Sequence, residues 1–197
     1  MAHANRRMKT VTAAELAALA AMAVLAFGAG PAGATVVEKG FYSGTDSSSF
    51  DDCGFRLDVE STFSGHFVLR AVKGGEAFLG KDNFRFRDVL TNPKTGEWFV
   101  VRGNGLFSEI KATQVSGNIY EFVAIEAGQP FVLEDSAGHV IVRDRGVIRH
   151  TALFDTLGDG EPSAELIEET HTSVRGPHPG FAEDFPFCEI AAQLTGA

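Results

Sequence analysis

The sequence is poor in cysteine and has no apolar run long enough to cross a membrane as a helix. Its 197 residues include only two cysteines, Cys53 and Cys188, and neither has partners at the spacing of a metal centre or a thiol active site. The apolar run 16–27 would rise only about 18 Å as a helix, against a hydrocarbon core of roughly 30 Å. Both shortages argue against a cysteine-built site and against a helical membrane anchor.

Sequence motifs of catalysis are also missing. The chain contains no G-x-S-x-G sequence, and its histidines beyond residue 34 form no H-x-H pair. Carboxylates are plentiful, but their spacing selects no acid–base pair. The sequence therefore predicts no cofactor and no histidine-bound metal, and it leaves enzymatic activity uncertain, with the balance against it.

The first 34 residues have the composition of a secretory signal peptide. Three basic residues precede the apolar run, and Ala32-Gly33-Ala34 places small residues before a cleavage site at Thr35. The Arg6-Arg7 pair is also a weak match to a twin-arginine export signal. We therefore expect a secreted, extracellular protein that begins at Thr35 after processing.

Basic residues are scarce in the processed chain. Without residues 1–34, the chain keeps 14 lysines and arginines against 25 aspartates and glutamates, a net charge of −11. Such a surface repels phosphate backbones and anionic lipid headgroups. We expect neither nucleic acid nor, after signal cleavage, a membrane as a partner.

In an oxidising exterior, the two cysteines are expected to form one disulfide, Cys53–Cys188. The bond would join the beginning of the processed chain to its end. Chain-entropy reasoning assigns about 5 kcal/mol to the closure of so long a loop.

From Phe55 onward, short runs rich in Phe, Val, Ile and Leu alternate with turn signals, a pattern typical of an antiparallel all-β domain. Turns are predicted at TNPKTG (91–96), at Asn104-Gly105, and at the segments SGN, AGQ and SAG. The turns separate at least eight predicted strands: 55–61, 63–72, 84–90, 97–103, 106–115, 119–126, 130–135 and the long run 139–155.

Both faces of these strands carry apolar residues. In the run 97–103, Trp98 and Val100 point to one side while Phe99 and Val101 point to the other. A sheet with two apolar faces needs cover on each. The sequence thus predicts an up-and-down antiparallel meander that closes into a small β-barrel, with a β-sandwich as the alternative.

The domain organisation follows from these patterns. An extended N-terminal segment, 35–54, precedes a single β-barrel domain, 55–197, which ends in a C-terminal strap, 176–197. Three prolines stiffen the strap and three phenylalanines anchor it. The segment AELIEET (164–170) is predicted to form one or two helical turns, and EIAAQL (189–194) a short helix.

Candidate site residues come from the strands and one loop. Aromatic side chains lining a cavity or rim would bind a small apolar or amphipathic ligand, or an extracellular protein; they are Trp98, Phe99, Phe107, Tyr120 and Phe122. Titratable or charged residues inside a barrel would be the catalytic candidates: Glu121, Arg143, Arg145 and His66. A weak calcium candidate is the acidic loop with Asp155, Asp159 and Glu161, which departs from the EF-hand pattern.

Several short motifs carry a resemblance. The combination of DDCGF, FSGHF, TNPKTGEWF, VRDRG, DTLGD and GPHPGF resembles a group of exported actinobacterial proteins without an assigned activity, over nearly the whole processed chain. The segment GNGLF and the meander also resemble the allene oxide cyclase and dirigent barrels, which have a hydrophobic central cavity. These resemblances imply export and a barrel, and they carry over no catalytic residue.

Two functions are compatible with these features. We expect a secreted, non-catalytic barrel that binds a small apolar or amphipathic ligand or a protein partner. The alternative is a cyclase-like or hydrolytic enzyme that uses charged residues in the barrel lumen.

Overall fold

The computed structural model describes residues 35–72 and 74–197, and the predicted signal peptide lies outside them. The strands are β1 (Thr35–Phe50), β2 (Leu57–Ala71), β3 (Phe78–Thr91), β4 (Trp98–Ser116), β5 (Ile119–Glu134), β6 (Val140–Arg143), β7 (Gly146–Asp155) and β8 (Glu165–Arg175). A short 3-10 helix (Pro179–Phe181) and one α-helix, α1 (Phe187–Thr195), follow.

The strands form one antiparallel sheet in chain order, which confirms the predicted all-β meander. The order is β1-β2-β3-β4-β5-β7-β8, and β6 pairs with the part of β5 that β7 leaves free. In the described part of the chain, β1 and β8 do not pair with each other, so the sheet is not closed. Closure into a barrel, or folding into a sandwich, stays a prediction.

Two predicted turns are wrong, and they lie opposite each other. Asn104-Gly105 is inside β4, and the AGQ segment is inside β5, where Gly105 pairs with Gly128. The glycines serve close packing here. A Cβ on Gly105 would lie 2.6 Å from the carbonyl oxygen of Ala127 and 3.2 Å from the ring of Phe84, and a Cβ on Gly128 would lie 2.8 Å from the carbonyl oxygen of Asn104. The predicted strands on either side therefore merge into two long strands, and the two predicted strands within 55–72 likewise form β2.

Both terminal regions belong to the sheet. Residues 35–50, expected to be an extended segment, form a full edge strand that pairs with β2 along its length. The segment AELIEET is not helical, because Glu165 and Leu166 pair with Asp155 and Phe154 of β7. Ladder pairing overrides the local helical preference of this segment.

The α-helix packs on one face of the sheet, which we call the helix face. Phe187, Ile190, Ala191 and Leu194 recur at helical spacing and meet a core that includes the fully buried Phe99. Gly196 ends the helix in the left-handed conformation (φ 64°). The predicted short helix at 189–194 is thus confirmed.

The core of the helix face lies beneath α1. It consists of Leu57, Leu90, Phe99, Val101, Leu133 and Ala191. A second buried cluster of Ala77, Tyr120 and Phe122 lies where the β2–β3 connection reaches β5, with the phenol of Tyr120 donating to Glu76 at 3.0 Å. Both clusters are on the helix face, at separate positions.

The predicted disulfide is present. Cys53, in the β1–β2 connection, is bonded to Cys188 in α1, with 5.1 Å between their Cα atoms. The rings of Phe50 and Phe187 meet beside it, 6.0 Å apart. No helix among the described residues is long and apolar enough to span a membrane.

Candidate functional site

The two faces of the sheet carry different charges. Register and side-chain alternation put every strand lysine and arginine of the described residues on the face opposite to α1. These residues are Lys39, Arg70, Lys81, Arg85, Arg87, Arg102, Lys111, Arg143, Arg149 and Arg175. The helix face instead carries carboxylates in phase with phenylalanines, among them Asp82, Asp88, Glu109 and Glu126.

Three of these carboxylates surround Phe107. Its ladder partners are Asp82 on β3 and Glu126 on β5, and Glu109 is the next residue on the same face of β4. We call these four residues the Phe107 site. Asp82 and Glu126 lie two strand spacings apart, about 10 Å, which is too far to share a calcium ion with ligand distances of about 2.3–2.6 Å.

Asp82 is held by a phenol and keeps one oxygen without a partner. The hydroxyl of Tyr42 donates to Oδ2 of Asp82 at 2.7 Å. Its Oδ1 is buried and makes no hydrogen bond within the described residues. Burial raises the pKa of Asp82, and the hydrogen bond from Tyr42 partly opposes that rise.

Glu109 is a buried carboxyl with a strongly raised pKa. Burial raises its pKa to about 7, against a smaller lowering by the Gly80 amide, which donates to Oε2 at 2.6 Å. On β5, the ladder partner of Glu109 is Ala124, and Phe122 of the second buried cluster is the next residue on the same face. Near neutral pH this group can therefore hold or release a proton in an apolar setting.

Glu126 lies between the Phe107 ring and the C-terminal strap. Burial raises its pKa, and the positive charge of His150 and then of His178 opposes the rise. His150 is on the same face of β7 and contacts Glu169 of β8 at 2.9 Å. Glu126 thus has no lysine or arginine as a counter-ion among the described residues.

The strap packs against the helix face beside this site. His178 lies over Gly146, where a Cβ would be 3.0 Å from its Nε2, and its Nδ1 is 3.9 Å from Oδ2 of Asp144. The Gly180 amide donates to Oδ1 of Asp144 at 2.8 Å, and burial raises the pKa of this carboxyl. Phe185 meets Phe131 edge-on, with 5.6 Å between the rings.

The predicted ligand-binding aromatics are not gathered in one place. Phe107 is partly exposed at the centre of the Phe107 site, whereas Phe99 is fully buried beneath α1. Tyr120 and Phe122 belong to the second buried cluster on the helix face. Trp98 lies on the opposite face, since it is adjacent to Phe99 in β4.

The predicted catalytic residues lie apart from one another. Glu121, Arg143 and His66 are all on the opposite face, on three different strands. The His66 ring stacks on Phe41, whose side chain is 87% exposed, with 4.6 Å between the rings. Arg145 is exposed at the break between β6 and β7, where its amide donates to Pro177.

The calcium candidates are engaged by their own loop. Oδ1 of Asp155 accepts from the Leu157 amide at 2.8 Å, and Oδ1 of Asp159 accepts from the Glu161 amide at 2.9 Å. Within residues 35–72 and 74–197, no three His, Cys, Asp or Glu side chains are close enough to hold a metal ion.

The residues of the Phe107 site other than Phe107 itself were missed, although the sequence contains a signal for them. In the run 82–90, Asp82 and Asp88 alternate in phase with Phe84 and Phe86, while the arginines are out of phase. The same period of two puts Glu109 in phase with Phe107 and Glu126 in phase with Phe122. Within a run that no β-bulge interrupts, a charged residue that is an even number of positions from these phenylalanines is on the helix face, and one that is an odd number away is on the opposite face.

Two open depressions lie away from the Phe107 site. One, of about 390 Å³, lies by the β1–β2 connection and includes Arg56 and Asp58. The other, of about 200 Å³, lies on the opposite face between β5, β7 and β8. Comparison with protein-family models, with curated proteins and with solved structures finds no match to this chain.

Proposed function

We propose that the protein is a secreted, non-catalytic binding protein whose helix face takes up a small amphipathic molecule carrying a protonated amine. One observation carries this proposal: Asp82, Glu109 and Glu126 surround Phe107 on a face that receives no lysine or arginine from the described strands. A ligand ammonium would supply the missing positive charge.

The electrostatic state of the site supports a cationic ligand. Burial raises the pKa of all three carboxyls, so their ionised forms are disfavoured while the site is empty. A bound cation reverses this penalty for the carboxylate that it contacts, and it attracts the other two carboxylates across a longer distance. The buried, unpartnered Oδ1 of Asp82 would accept a hydrogen bond from the ammonium group.

The aromatic surroundings support the amphipathic character of the ligand. Two phenylalanines are close to Asp82 on this face. Phe67 of β2 is the ladder partner of Asp82, and Phe84 is the next residue after Asp82 on the same face of β3. Both side chains are partly exposed, so they offer apolar area to a ligand chain. The face of the Phe107 ring also attracts a cation directly, by about 0.5–2 kcal/mol.

Secretion is part of the proposal. It rests on the signal-peptide pattern of residues 1–34 together with the Cys53–Cys188 disulfide, a bond typical of oxidising compartments. The net charge of −11 on the processed chain would favour the approach of cationic molecules.

Titration calorimetry with octylamine at pH 8 tests the proposal, with 1-octanol as the neutral probe of equal chain length. We expect octylamine to bind more tightly than octanol. Glu126→Gln should weaken octylamine by about tenfold or more, since an ammonium group bound at Asp82 loses the attraction of a carboxylate about 7 Å away, which amounts to about 2 kcal/mol at an effective dielectric constant of about 20. Glu121→Gln is the matched control, because it removes a carboxylate from the opposite face of the same strand.

Three results would contradict the proposal. Octanol could bind as tightly as octylamine, which would mean that the aromatic surface alone determines binding. Glu126→Gln could bind octylamine as tightly as wild type, which would place the amine elsewhere. Absence of octylamine binding, with a protein partner recovered instead, would favour a protein-binding surface.

A further inference from the structure

The opposite face of the sheet has a cleft lined by arginines, whereas the Phe107 site is lined by carboxylates. The cleft measures about 200 Å³ and is lined by Ile125, Val147, Arg149, Ser173 and Arg175. In the ladder, Arg149 pairs with both Ile125 and Ser173, and Arg175 pairs with Val147. Two guanidinium groups and a hydroxyl thus share a small space with two aliphatic side chains.

The two arginines are neighbours with no carboxylate between them. Ser173 is directly opposite Arg149, and Arg175 is the next residue on that face of β8, so the two charged side chains are diagonal neighbours. The residues around Arg149 on this face are Val123, Ile125, Ala127, Val147, Thr151, His171, Ser173 and Arg175. None of them is acidic.

Both guanidinium groups are free of ion pairs within residues 35–72 and 74–197. Like charges side by side repel each other, whereas one anion placed between them would be attracted by both. The planar donors of arginine suit the two oxygens of a carboxylate, and the Ser173 hydroxyl adds a further donor. The cleft is therefore complementary to a single negative group.

The remaining lining favours a ligand with an apolar part. Val147 is 37% exposed. It is the ladder partner of Arg175 and the neighbour of Arg149 on the same face of β7. The cleft is smaller than the roughly 300–1,000 Å³ of sites for drug-sized molecules, so it suits a short chain. Burying Val147 and Ile125 against such a chain would add to binding at about 25 cal/mol per Å².

We propose that the cleft formed by β5, β7 and β8 binds a short-chain amphipathic carboxylate, with the carboxylate on Arg149 and Arg175 and the chain against Ile125 and Val147. The site is independent of the Phe107 site, because the two lie on opposite faces of the sheet and select opposite charges. The protein would then distinguish two classes of amphipathic molecule by the sign of their headgroups.

Titration calorimetry with sodium octanoate at pH 7.5 tests this site. We expect binding that the double substitution Arg149→Gln and Arg175→Gln weakens by at least tenfold, while Arg85→Gln, which neutralises an exposed arginine elsewhere on the same face, leaves the affinity unchanged. Urea unfolding of each variant establishes that it is folded. Inorganic phosphate and 1-octanol serve as the headgroup-only and chain-only probes.

The outcomes separate cleanly. Octanoate binding that is lost in the double variant and kept in Arg85→Gln supports the site. Absence of octanoate binding to wild type, equal binding to the double variant, or equally tight binding of octanol or phosphate overturns it. Octylamine and Glu126→Gln play no part in these measurements, so failure here leaves the proposed function unaffected.

Discussion

The phenol of Tyr42 donates a hydrogen bond to Asp82 across an intervening strand. The two oxygens are 2.7 Å apart, although Tyr42 is on β1 and Asp82 is on β3. The strand between them presents Gly65, the ladder partner of Tyr42, so no side chain separates the phenol from the carboxyl. A Cβ on Gly65 would overlap Cζ and Oη of Tyr42.

We expect Gly65→Ala to break this link by displacing the Tyr42 ring. The free energy of unfolding should fall by about 1–3 kcal/mol, because a buried acceptor loses its donor and the ring must repack. Tyr42→Phe should cost about 1 kcal/mol, since it removes the hydroxyl alone. Urea denaturation followed by fluorescence measures both.

Ser64→Ala is the control for this pair, because Ser64 is adjacent to Gly65 and points to the opposite face. Its stability should stay within about 0.5 kcal/mol of wild type. Equal stabilities of Gly65→Ala and Ser64→Ala would show that the Tyr42 ring does not depend on the glycine.

Glu109 should make the protein less stable as the pH rises. Its folded-state pKa is about 7, above the unfolded value of 4.5, so the folded state binds the proton more tightly. The contribution of this proton to the free energy of unfolding is fully present below pH 4.5 and is lost as the pH rises to about 7. The total loss is about 3 kcal/mol. Glu109→Gln should remove this loss, because the amide oxygen still accepts from Gly80.

Chemical denaturation between pH 4.5 and 8.5 checks this expectation. The free-energy difference between Glu109→Gln and wild type should grow in favour of the variant as the pH rises, by about 3 kcal/mol over the range. A difference that is constant with pH would mean that Glu109 titrates alike in the folded and unfolded states.

The disulfide should account for a large share of the stability. Cys53 and Cys188 are 135 residues apart, and removing a native disulfide from a small secreted domain typically costs about 2–5 kcal/mol. We expect the Cys53→Ala and Cys188→Ala double variant to show a loss in this range. The reduced wild-type protein should match it, and a midpoint of unfolding equal to that of the oxidised protein would contradict the expectation.

Octylamine binding should tighten as the pH rises from 5 to 8. Because its pKa is raised to about 7, Glu109 is protonated at pH 5, and burial raises the pKa of Asp82 and of Glu126 as well. An alkylamine, like lysine, keeps its proton up to about pH 10. Calorimetry at several pH values measures the trend. Affinity that falls or stays constant over this range would mean that the carboxylates are not the partners of the amine.

Much of the architecture could be predicted from local sequence. The period of two in the apolar runs and the turn residues at 91–96 and 116–118 predicted the antiparallel meander, and the segment 189–194 predicted α1. The expectation of export and the count of two cysteines were enough to predict the disulfide. These features depend on residues close in sequence or on simple counting.

Glycine caused the errors in strand length. Gly105 and Gly128 look like turn residues, yet each is in a long strand and faces the other across the ladder. A glycine that permits the close approach of a neighbouring strand and a glycine that permits a turn are identical in sequence. The atoms that distinguish them here are the carbonyl oxygens of Ala127 and Asn104 and the ring of Phe84, which come from neighbouring strands. Predicting these contacts requires the register, which short-range patterns do not contain.

The Phe107 site was missed for a related reason. Its three carboxylates come from three strands and meet only through the ladder pairs of Phe107 with Asp82 and Glu126. Each of them could be placed on the apolar phase of its own strand. Their convergence around one ring follows from the order and register of β3, β4 and β5.

The most direct test of the central claim is a titration of the isotope-labelled protein, residues 35–197, with octylamine, followed by amide chemical shifts. We predict saturable shifts centred on Asp82, Phe107, Glu109 and Glu126, with the amides of Arg149 and Arg175 unaffected. Shifts centred on the Arg149–Arg175 cleft, or no saturable shifts at all, would contradict the assignment of the helix face as a site for organic cations.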